Sequence, residues 1–454
     1  MAAVEHAYRY PFTSGLETGR DGPRLILATS GGANPNPSFF RGRITQPRRP
    51  AALLLAVAAV AATRFFVPAA TVARILREAD PVVTSGGDRL RFESFSVCSG
   101  VYSRLDLLPD ALDGEWLQHG TTNVDFGSHM RRVLSAVHEE ERVGLSVGAG
   151  SVEVSQEFGA AIERKVALPE RWLRGFVEVQ CYQSEMKPAF ELAAPDAARF
   201  LSALPREVPP KEAPMYAVPN GRGLRLTTRA TAGSVGVGGA GRLRILAGLG
   251  RTAKALRVYR HDDGASGWEL VFDDARFHMV LSPEASRGFS GEGQALQALA
   301  AAEGDSAVAR VRAALRWQAC IRPRELAAEA GIDEPVARLA LARLGVRGLV
   351  GFDLGDDAWF HRELPFDRSV IEANQPRLVE ARELVAAGAV RITKLDGTVV
   401  EGWVRGAEVE HRVRLDGEEA RCTCPWFSRN QGARGPCKHV LAARLAAREA
   451  VERR

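Results

Sequence analysis

The chain has 454 residues, of which 46% are hydrophobic and 25% are charged, and its formal net charge is +5. This composition is typical of folded globular proteins, and it excludes collagen-like, mucin-like and fully disordered classes. Six cysteines are too few for a disulfide scaffold, and Cys98, Cys181 and Cys320 stand far apart, so we expect a reducing, cytoplasmic location.

The longest apolar run is AALLLAVAAVAA at 51–62, which has twelve residues, whereas a membrane-spanning helix needs about 20. The first thirty residues contain no apolar segment followed by a small-residue cleavage site, so we expect no secretory signal. The pattern therefore predicts a buried helix over 51–65 and no membrane partner.

The N-terminal half predicts an irregular start followed by a mixed domain. Residues 1–45 are rich in Gly, Pro, Ser and Asn without a hydrophobic period, which predicts a loosely ordered N-terminus. Residues 46–204 alternate between helical and strand-like patterns, which predicts a mixed α+β domain. Within it we expect a further helix over 71–79, strands within 88–108 and a helix capped by Ser128.

The middle of the chain predicts a linker and then a strand-rich region. Five prolines in 205–221 indicate a linker, and 222–300 reads as strand-rich and glycine-containing. The stretch GVGGAG at 236–241 fits G-x-G-x-x-G, but no clear strand leads into it and RLRILAGLG after it resembles another strand, so we expect no dinucleotide site. No catalytic constellation and no small-molecule substrate can be named. We therefore predict no enzyme activity, with the region 50–300 left open.

Residues 305–365 contain three helical patterns followed by a short hairpin. Gly331 and Gly348 are typical helix stops, and Asp333 is a typical helix cap. The order resembles a winged helix-turn-helix domain, which implies that a helix at 335–347 lies in a DNA major groove. Its long polar side chains are all arginines, whereas base reading combines several residue types, so a packing or protein-contact role is the alternative.

Half of the cysteines lie in RCTCPWFSRNQGARGPCKHV at 421–440. Cys422 and Cys424 are two residues apart, which in an extended segment directs both side chains to one face. Twelve residues separate Cys424 from Cys437, and Cys437 and His439 lie at the start of a helical pattern. Three thiolates and one imidazole select Zn²⁺ and fill a tetrahedral shell, so the spacing predicts a structural zinc site rather than a catalytic one.

The pattern C-x-C-x12-C-x-H, placed after a hairpin and before a helix, resembles the SWIM zinc finger, and all four ligand positions match. The resemblance covers about 398–450 and implies zinc binding with proposed DNA or protein contacts. Further stretches, such as LPERWLRGF and LSPEASRGFSGEG, resemble a bacterial group of SWIM-finger proteins, which implies no particular activity. We thus expect an α+β multidomain protein: a mixed α/β N-terminal region, a winged-helix-like segment and a C-terminal ββα finger at 390–454.

The charge distribution favours a polyanionic partner for the C-terminal end. Residues 421–454 contain eight basic and two acidic residues, so the other 420 residues have a net charge of −1. A basic module on a nearly neutral body indicates DNA or RNA binding, with a protein-interaction adaptor as the alternative. The candidate nucleic-acid contacts are Arg421, Trp426, Phe427, Arg429, Arg434, Lys438, Arg444 and Arg448. Trp426 and Phe427 are available either to stack on bases or to pack the metal clip.

Overall fold

The computed structural model describes residues 15–19, 22–26, 38–63, 81–123, 126–149, 151–156, 159–164, 170–205, 214–284, 288–289, 306–364, 375–397, 399–406, 409–417, 419–432 and 434–452. The helix predicted over 71–79 lies outside these residues. The described part of the chain contains several antiparallel sheets and eleven α-helices, so the protein has the mixed α+β composition that was expected. None of the described helices is long and apolar enough to cross a membrane.

An eight-stranded antiparallel sheet forms the centre of the molecule, in the order β12-β16-β17-β18-β6-β5-β4-β8. Its strands are β4 (Val82–Gly86), β5 (Arg89–Phe95), β6 (Val101–Leu107), β8 (Gly120–Asn123), β12 (Lys187–Ala193), β16 (Ala255–Arg260), β17 (Ser266–Val271) and β18 (Ala275–Leu281). Strands β6 and β18 are buried along their whole length, because layers of structure cover both faces of the sheet. The strands predicted within 88–108 are confirmed as β5 and β6.

This sheet contains strands from both of the regions that were predicted to be separated by a linker at 205–221. Strands β6 and β18 pair in register from Leu107 with Ala275 to Val101 with Leu281, so the predicted domains 46–204 and 222–300 share one sheet. The predicted linker also contains strand β13 (Met215–Asn220). Pro219 is tolerated there because β13 pairs with its second neighbour only over Met215–Ala217.

A five-stranded sheet covers the N-terminal side, in the order β11-β10-β9-β3-β7. Its strands are β3 (Ser38–Ile44), β7 (Leu112–Trp116), β9 (Val143–Gly148), β10 (Ser151–Gln156) and β11 (Gly159–Arg164). Strand β3 and the hairpin of β1 (Gly15–Gly19) with β2 (Gly22–Ile26) lie inside the segment 1–45, where no element was predicted.

Helix α1 (Arg48–Ala62) confirms the buried helix predicted from the apolar run, since it packs against β5, β6 and α2 (Ser128–Ser135). The predicted cap on α2 is wrong. Ser128 is the first helical residue, and the N-cap is Gly127, without a side-chain hydrogen bond.

The region after β12 alternates short helices and strands. Its elements are α4 (Ala194–Ser202), β13, β14 (Gly223–Thr227), β15 (Val235–Val237) and α5 (Arg244–Leu249). The strand expected from RLRILAGLG is wrong, because 240–249 forms a 3-10 turn and helix α5 that bury Leu243 and Leu246 at helical spacing. Within GVGGAG, a Cβ on Gly238 would lie 2.1 Å from the Ser282 carbonyl oxygen, so this glycine serves close backbone packing.

The segment 305–365 contains α6 (Ser306–Ala313), α7 (Pro323–Ala330), α8 (Glu334–Val346), β19 (Val350–Asp353) and β20 (Ala358–His361). Three helices and a hairpin are therefore present in the expected order. Gly331 and Gly348 have φ of 63° and 73°, the left-handed conformation expected at helix ends. Every residue of β19 and β20 is buried, and the hairpin packs with α3 (Glu170–Glu185) instead of projecting as a free wing.

Buried ion pairs fasten this hairpin to the central sheet. Asp353 contacts the guanidinium groups of Arg104 at 2.8 Å and Arg91 at 3.3 Å, and Asp356 accepts two hydrogen bonds of 2.8 Å from Arg276. The predicted winged-helix-like unit thus shares its core with the central sheet.

The C-terminal region combines a four-stranded antiparallel sheet with three helices. Its elements are α9 (Pro376–Ala386), β21 (Val390–Asp396), β22 (Val399–Arg405), β23 (Glu410–Asp416), β24 (Glu419–Cys422), α10 (Pro425–Asn430) and α11 (Lys438–Glu452). The sheet is larger than the expected ββα arrangement. Helix α11 packs on one face of the sheet, and the core between them also includes Leu173 and Val177 of α3, so the region is joined to the rest of the protein.

Candidate metal centre

The first pair of candidate ligands lies at the end of the four-stranded C-terminal sheet of β21–β24, called the finger sheet below. Cys422 is the last residue of β24, and Cys424 is the N-cap of α10. Between them, Thr423 exchanges hydrogen bonds with the backbone of Arg412 on β23, at 3.0 and 3.2 Å. This pairing keeps the segment extended, so both thiols point to the buried side while Thr423 is exposed.

The second pair lies at the start of the C-terminal helix. The Cys437 carbonyl oxygen accepts a 3.0 Å hydrogen bond from the Leu441 amide, which places Cys437 at the beginning of α11 and His439 in its first turn. Both side chains are buried. The four ligands thus lie as predicted, with one pair at the end of a strand and the other at the start of a helix, and together they form the metal clip.

The four side chains converge on one point. The three Sγ atoms and a ring nitrogen of His439 all lie within 4.8 Å of one another. This upper bound is compatible with the edges of about 3.8 Å expected for a tetrahedral shell with Zn–S bonds of about 2.3 Å. Outside the cluster itself, neither ring nitrogen of the buried His439 has a hydrogen-bond partner among the described residues. Because buried polar atoms normally have partners, this histidine fits a metal ligand.

Backbone amides donate hydrogen bonds to two of the sulfur atoms, and the three thiols also affect one another. Cys424 N–H donates to Cys422 Sγ at 3.5 Å, and Phe427 N–H donates to Cys424 Sγ at 3.3 Å. Hydrogen bonding with Cys422 lowers the pKa of Cys437 to about 4, against the effect of burial. The same hydrogen bond, together with burial, raises the pKa of Cys422, and burial raises the pKa of Cys424. A bound cation would favour thiolate at all three positions.

Residues outside the motif hold the site in place, and no pattern in the sequence pointed to them. Arg377 of α9 donates hydrogen bonds of 2.9 Å to the carbonyl oxygens of Arg434 and Pro436, in the loop before Cys437. His411 of β23 lies against His439, with ring centroids 4.4 Å apart. Burial, and then the neighbouring His439, lower the pKa of His411. Such outer contacts fix the orientation of metal ligands.

The family comparison agrees with this geometry. Residues 411–447 match the family model of the SWIM zinc finger. The chain carries a SWIM finger. The match includes all four clustered ligands, and the finger together with its Cys/His cluster indicates zinc binding.

No curated protein shows a significant match to the chain. Similar solved structures each correspond to 54% of this chain. They include proliferating cellular nuclear antigen from Entamoeba histolytica (10% identity, 99% of that chain, TM-score 0.33), the PCNA2–PCNA3 complex from Sulfolobus tokodaii (7%, 99%, 0.39) and A. fulgidus PCNA with the C-terminal region of FEN-1 bound (11%, 98%, 0.36). Likeness at these TM-scores supports no conclusion about the fold or the function of this chain.

The predicted nucleic-acid contacts around the SWIM finger fall into two groups. Arg421, Arg429 and Arg434 are exposed. Trp426 and Phe427 are half-buried and pack against the finger core, with the Arg377 guanidinium 4.7 Å above the Trp426 ring. These two aromatic residues therefore pack the clip, which is one of the two roles proposed for them.

The basic residues of α11 are partly buried or engaged within the C-terminal region. Lys438 lies 2.6 Å from a carboxylate oxygen of Glu380. Arg444 donates to the Gly417 carbonyl oxygen at 3.2 Å, and Arg448 is half-buried. These three side chains are less available for a partner than the exposed arginines near the ligands.

A second group of possible ligands, Asp106, His278 and Asp353, lies in the central sheet. Arg104 already contacts all three, at 2.9 Å from Asp106, 3.0 Å from His278 and 2.8 Å from Asp353. Because a fixed guanidinium would repel a cation, this group is better explained as a buried ion-pair network than as a metal site.

Proposed function

We propose that the chain is a non-enzymatic, cytosolic zinc protein whose SWIM finger contacts nucleic acid. Arg421, Arg429 and Arg434 carry this proposal. All three are exposed, and among the residues that the structure describes none of them has an ion-pair partner. Free guanidinium groups on a rigid frame are suited to phosphate contacts, which position a protein on nucleic acid without reading its sequence.

The zinc site determines where these arginines lie. Arg421 directly precedes Cys422, Arg429 lies in the last turn of α10, and Arg434 lies in the loop that leads to Cys437. We infer a structural role for the metal because three thiolates and one imidazole complete a tetrahedral shell and leave no position for a reacting water. Loss of zinc would then remove the frame that holds these three arginines in place, and their phosphate contacts would be lost.

Binding across a salt series tests this proposal. We expect about one zinc per chain and a steep loss of affinity for DNA or RNA as the salt concentration rises. Cys437→Ala should lose both zinc and binding. The double variant Arg429→Ala/Arg434→Ala should keep its zinc, bind more weakly and show a salt slope smaller by about 2, about 1 for each lost phosphate contact.

Zinc-loaded protein that binds no nucleic acid even at low salt would contradict the proposal. As a matched control we suggest Arg324→Ala, which removes an exposed arginine from α7, away from the finger. Its affinity and salt slope should be those of the unaltered protein.

An adaptor role is the second candidate, and the exposed face of α8 favours it. Val336 and Leu339 are 40% and 52% exposed on the helix that a winged-helix reading would place in DNA. Arg338 on the same helix is held by Glu334 at 2.6 Å, so this face offers apolar contact more than base reading. If α8 binds a protein, Leu339→Ser should abolish a salt-tolerant complex and leave nucleic-acid affinity unchanged.

A further inference from the structure

One face of the finger sheet is turned away from the protein core. In β22 the residues Val400, Gly402 and Val404 are buried, and residues 399, 401, 403 and 405 alternate with them on the other face. Helix α11 packs on the buried side of β22. Trp403 therefore lies half-buried on the outward face, a position that no local pattern in the sequence indicates.

Basic side chains border Trp403 on both neighbouring strands. Arg391 on β21 and Arg412 on β23 are the residues paired directly with Trp403. Residues paired in this way have Cβ atoms about 4.5–5.5 Å apart, close enough for each guanidinium to reach the edge of the indole ring. The next row across the sheet consists of Lys394, Glu401, Arg414 and Arg421.

The outward face is positive around the tryptophan. On its three rows nearest Trp403 lie the basic residues Arg391, Lys394, Arg405, Arg412, Arg414 and Arg421 and the acidic residues Glu401 and Glu410. Glu401 contacts Arg412 at 3.1 Å and Arg414 at 3.8 Å, and Glu410 contacts Arg391 at 3.6 Å. These arginine side chains remain 53–64% exposed, so the pairs leave donors free for phosphate oxygens.

The opposite end of the same face is acidic. Asp396, Asp416 and Glu419 form the row farthest from Arg405, next to the turns that join the strands. A polyanion would be repelled from this row and attracted to the rows that contain Trp403 and the arginines. The charge pattern therefore favours binding of a polyanion over the rows that contain Trp403.

We propose that this face binds single-stranded nucleic acid, with one base stacked on Trp403 and adjacent phosphates held by Arg391, Arg412 and Arg414. An aromatic platform within a positive surface is the arrangement that single-strand binding uses. A duplex is a poorer fit because its base faces are stacked inside. The inference rests on the proposed nucleic-acid contact of the finger and specifies the form of nucleic acid and the surface.

The test uses the zinc-loaded full chain, a twelve-residue oligo(dT) and a duplex of the same length, at low salt. We expect oligo(dT) to bind more tightly than the duplex. Trp403→Ala should weaken oligo(dT) binding by about 5- to 150-fold, the range found for loss of one stacked base, with an unchanged salt slope. Trp403→Phe, which retains an aromatic face, should stay within a few-fold of the original affinity. Arg412→Ala should reduce the salt slope by about 1.

Zinc content and circular dichroism, measured on each variant, confirm that the finger is folded. A Trp403→Ala variant that binds oligo(dT) like the unaltered protein, or a preference for duplex, would overturn this inference and leave the proposed function standing. Displacement of oligo(dT) by poly-glutamate of equal charge would also overturn it, because stacking would then contribute nothing. No binding of any oligonucleotide would refute the proposed function itself, and this inference with it.

Discussion

Arg377 donates a hydrogen bond of 2.9 Å to the carbonyl oxygen of Pro436, the residue directly before the ligand Cys437. The same guanidinium also bonds the Arg434 carbonyl oxygen and covers the Trp426 ring. One side chain from α9 therefore holds both the loop that leads to the third ligand and the aromatic ring of α10. We therefore expect metal affinity to depend on α9, a helix outside the C-x-C-x12-C-x-H motif.

We predict that Arg377→Ala weakens zinc binding by about 10- to 100-fold, the usual effect of losing an outer contact to a metal site. The loop before Cys437 would sample more conformations and would have to be ordered again on binding. Competition with a chromogenic chelator measures the affinity. Arg324→Ala on α7 is the matched control, and equal zinc affinities of the two variants would show that Arg377 has no positioning role.

Removal of zinc should unfold the finger and leave the central sheet intact. The core of the finger is built around Cys422, Cys424 and Cys437, whereas the buried hydrophobic residues of β17 and β18 belong to two other hydrophobic clusters. Zinc binding to a structural site contributes on the order of 10–16 kcal/mol, comparable to the stability of a small domain.

Hydrogen exchange before and after chelation tests this prediction. Amides of 399–405 and 438–452 should lose protection, and those of 266–281 should retain it. Cys320→Ala, which removes a thiol far from the cluster, should change neither zinc content nor the exchange pattern. Protection of α11 that survives complete zinc removal would show that packing against Leu173 and Val177 holds the finger without metal.

The metal ligands could be predicted because their signal is local. Cys422 and Cys424 are placed by alternation in an extended segment, and Cys437 and His439 by the start of a helix. Arg377 and His411 reach the site from other elements through tertiary packing, which spacing along the chain does not encode. The outward position of Trp403 needed the pairing of three strands, and β21 was not predicted as one of them.

The same difference between local and long-range signals explains which parts of the fold could be predicted from the sequence. Helix α1 follows from its apolar run, and strands β5 and β6 follow from the density of β-branched and aromatic residues within 88–108, which are local signals. The pairing of β6 with β18 brings together residues about 170 positions apart, and no local pattern indicates it. The prolines of 205–221 suggested a linker. The position of Pro219 in β13, where only one neighbouring strand pairs with it, becomes visible only once the arrangement of the sheet is known.

Gly402 should be required for the finger sheet. A Cβ at this position would lie 2.7 Å from the Arg391 carbonyl oxygen and 3.3 Å from Ile392 Cα, next to the irregular register between Ile392 and Lys394. The obstacle is backbone, which cannot rotate away, so we expect Gly402→Ala to destabilise the finger by about 1–3 kcal/mol.

Urea unfolding of the zinc-loaded protein measures this change against Gly248→Ala. Gly248 is exposed on α5, and apart from its chain neighbours and the helix backbone no atom lies within 4 Å of the position that an alanine methyl carbon would take there. Alanine at this position should therefore stabilise the protein by up to about 1 kcal/mol through helix propensity. The two substitutions are chemically identical and should shift stability in opposite directions. A Gly402→Ala protein as stable as the original would show that β21 shifts at little cost.

Buried ion pairs give the protein a specific sensitivity to acid. Burial by itself raises the pKa of Asp353, but Arg104, Arg276 and His278 together outweigh it and hold this pKa below the usual range. Burial also acts to raise the pKa of Asp106, and Arg104 and Arg91 lower it well below the usual range. Carboxyl groups with a folded-state pKa below the unfolded value stabilise the fold above about pH 4, and this stabilisation is lost as the pH falls further.

We therefore predict that Asp353→Asn destabilises the protein by about 3–5 kcal/mol at neutral pH, because it leaves Arg104 and Arg91 buried with one carboxylate fewer. Below pH 4 the variant should lose stability less steeply than the original, by up to about 1.4 kcal/mol per pH unit for the one titrating group removed. Urea unfolding at a series of pH values from about 2.5 to about 7 measures both effects.

Asp113→Asn is the matched control. Asp113 pairs with Arg43 on the surface, with side-chain exposures of 63% and 57%, and such pairs contribute about 0–1 kcal/mol. Parallel acid profiles of Asp353→Asn and the original protein would show that Asp353 does not titrate against Arg104 in the folded state.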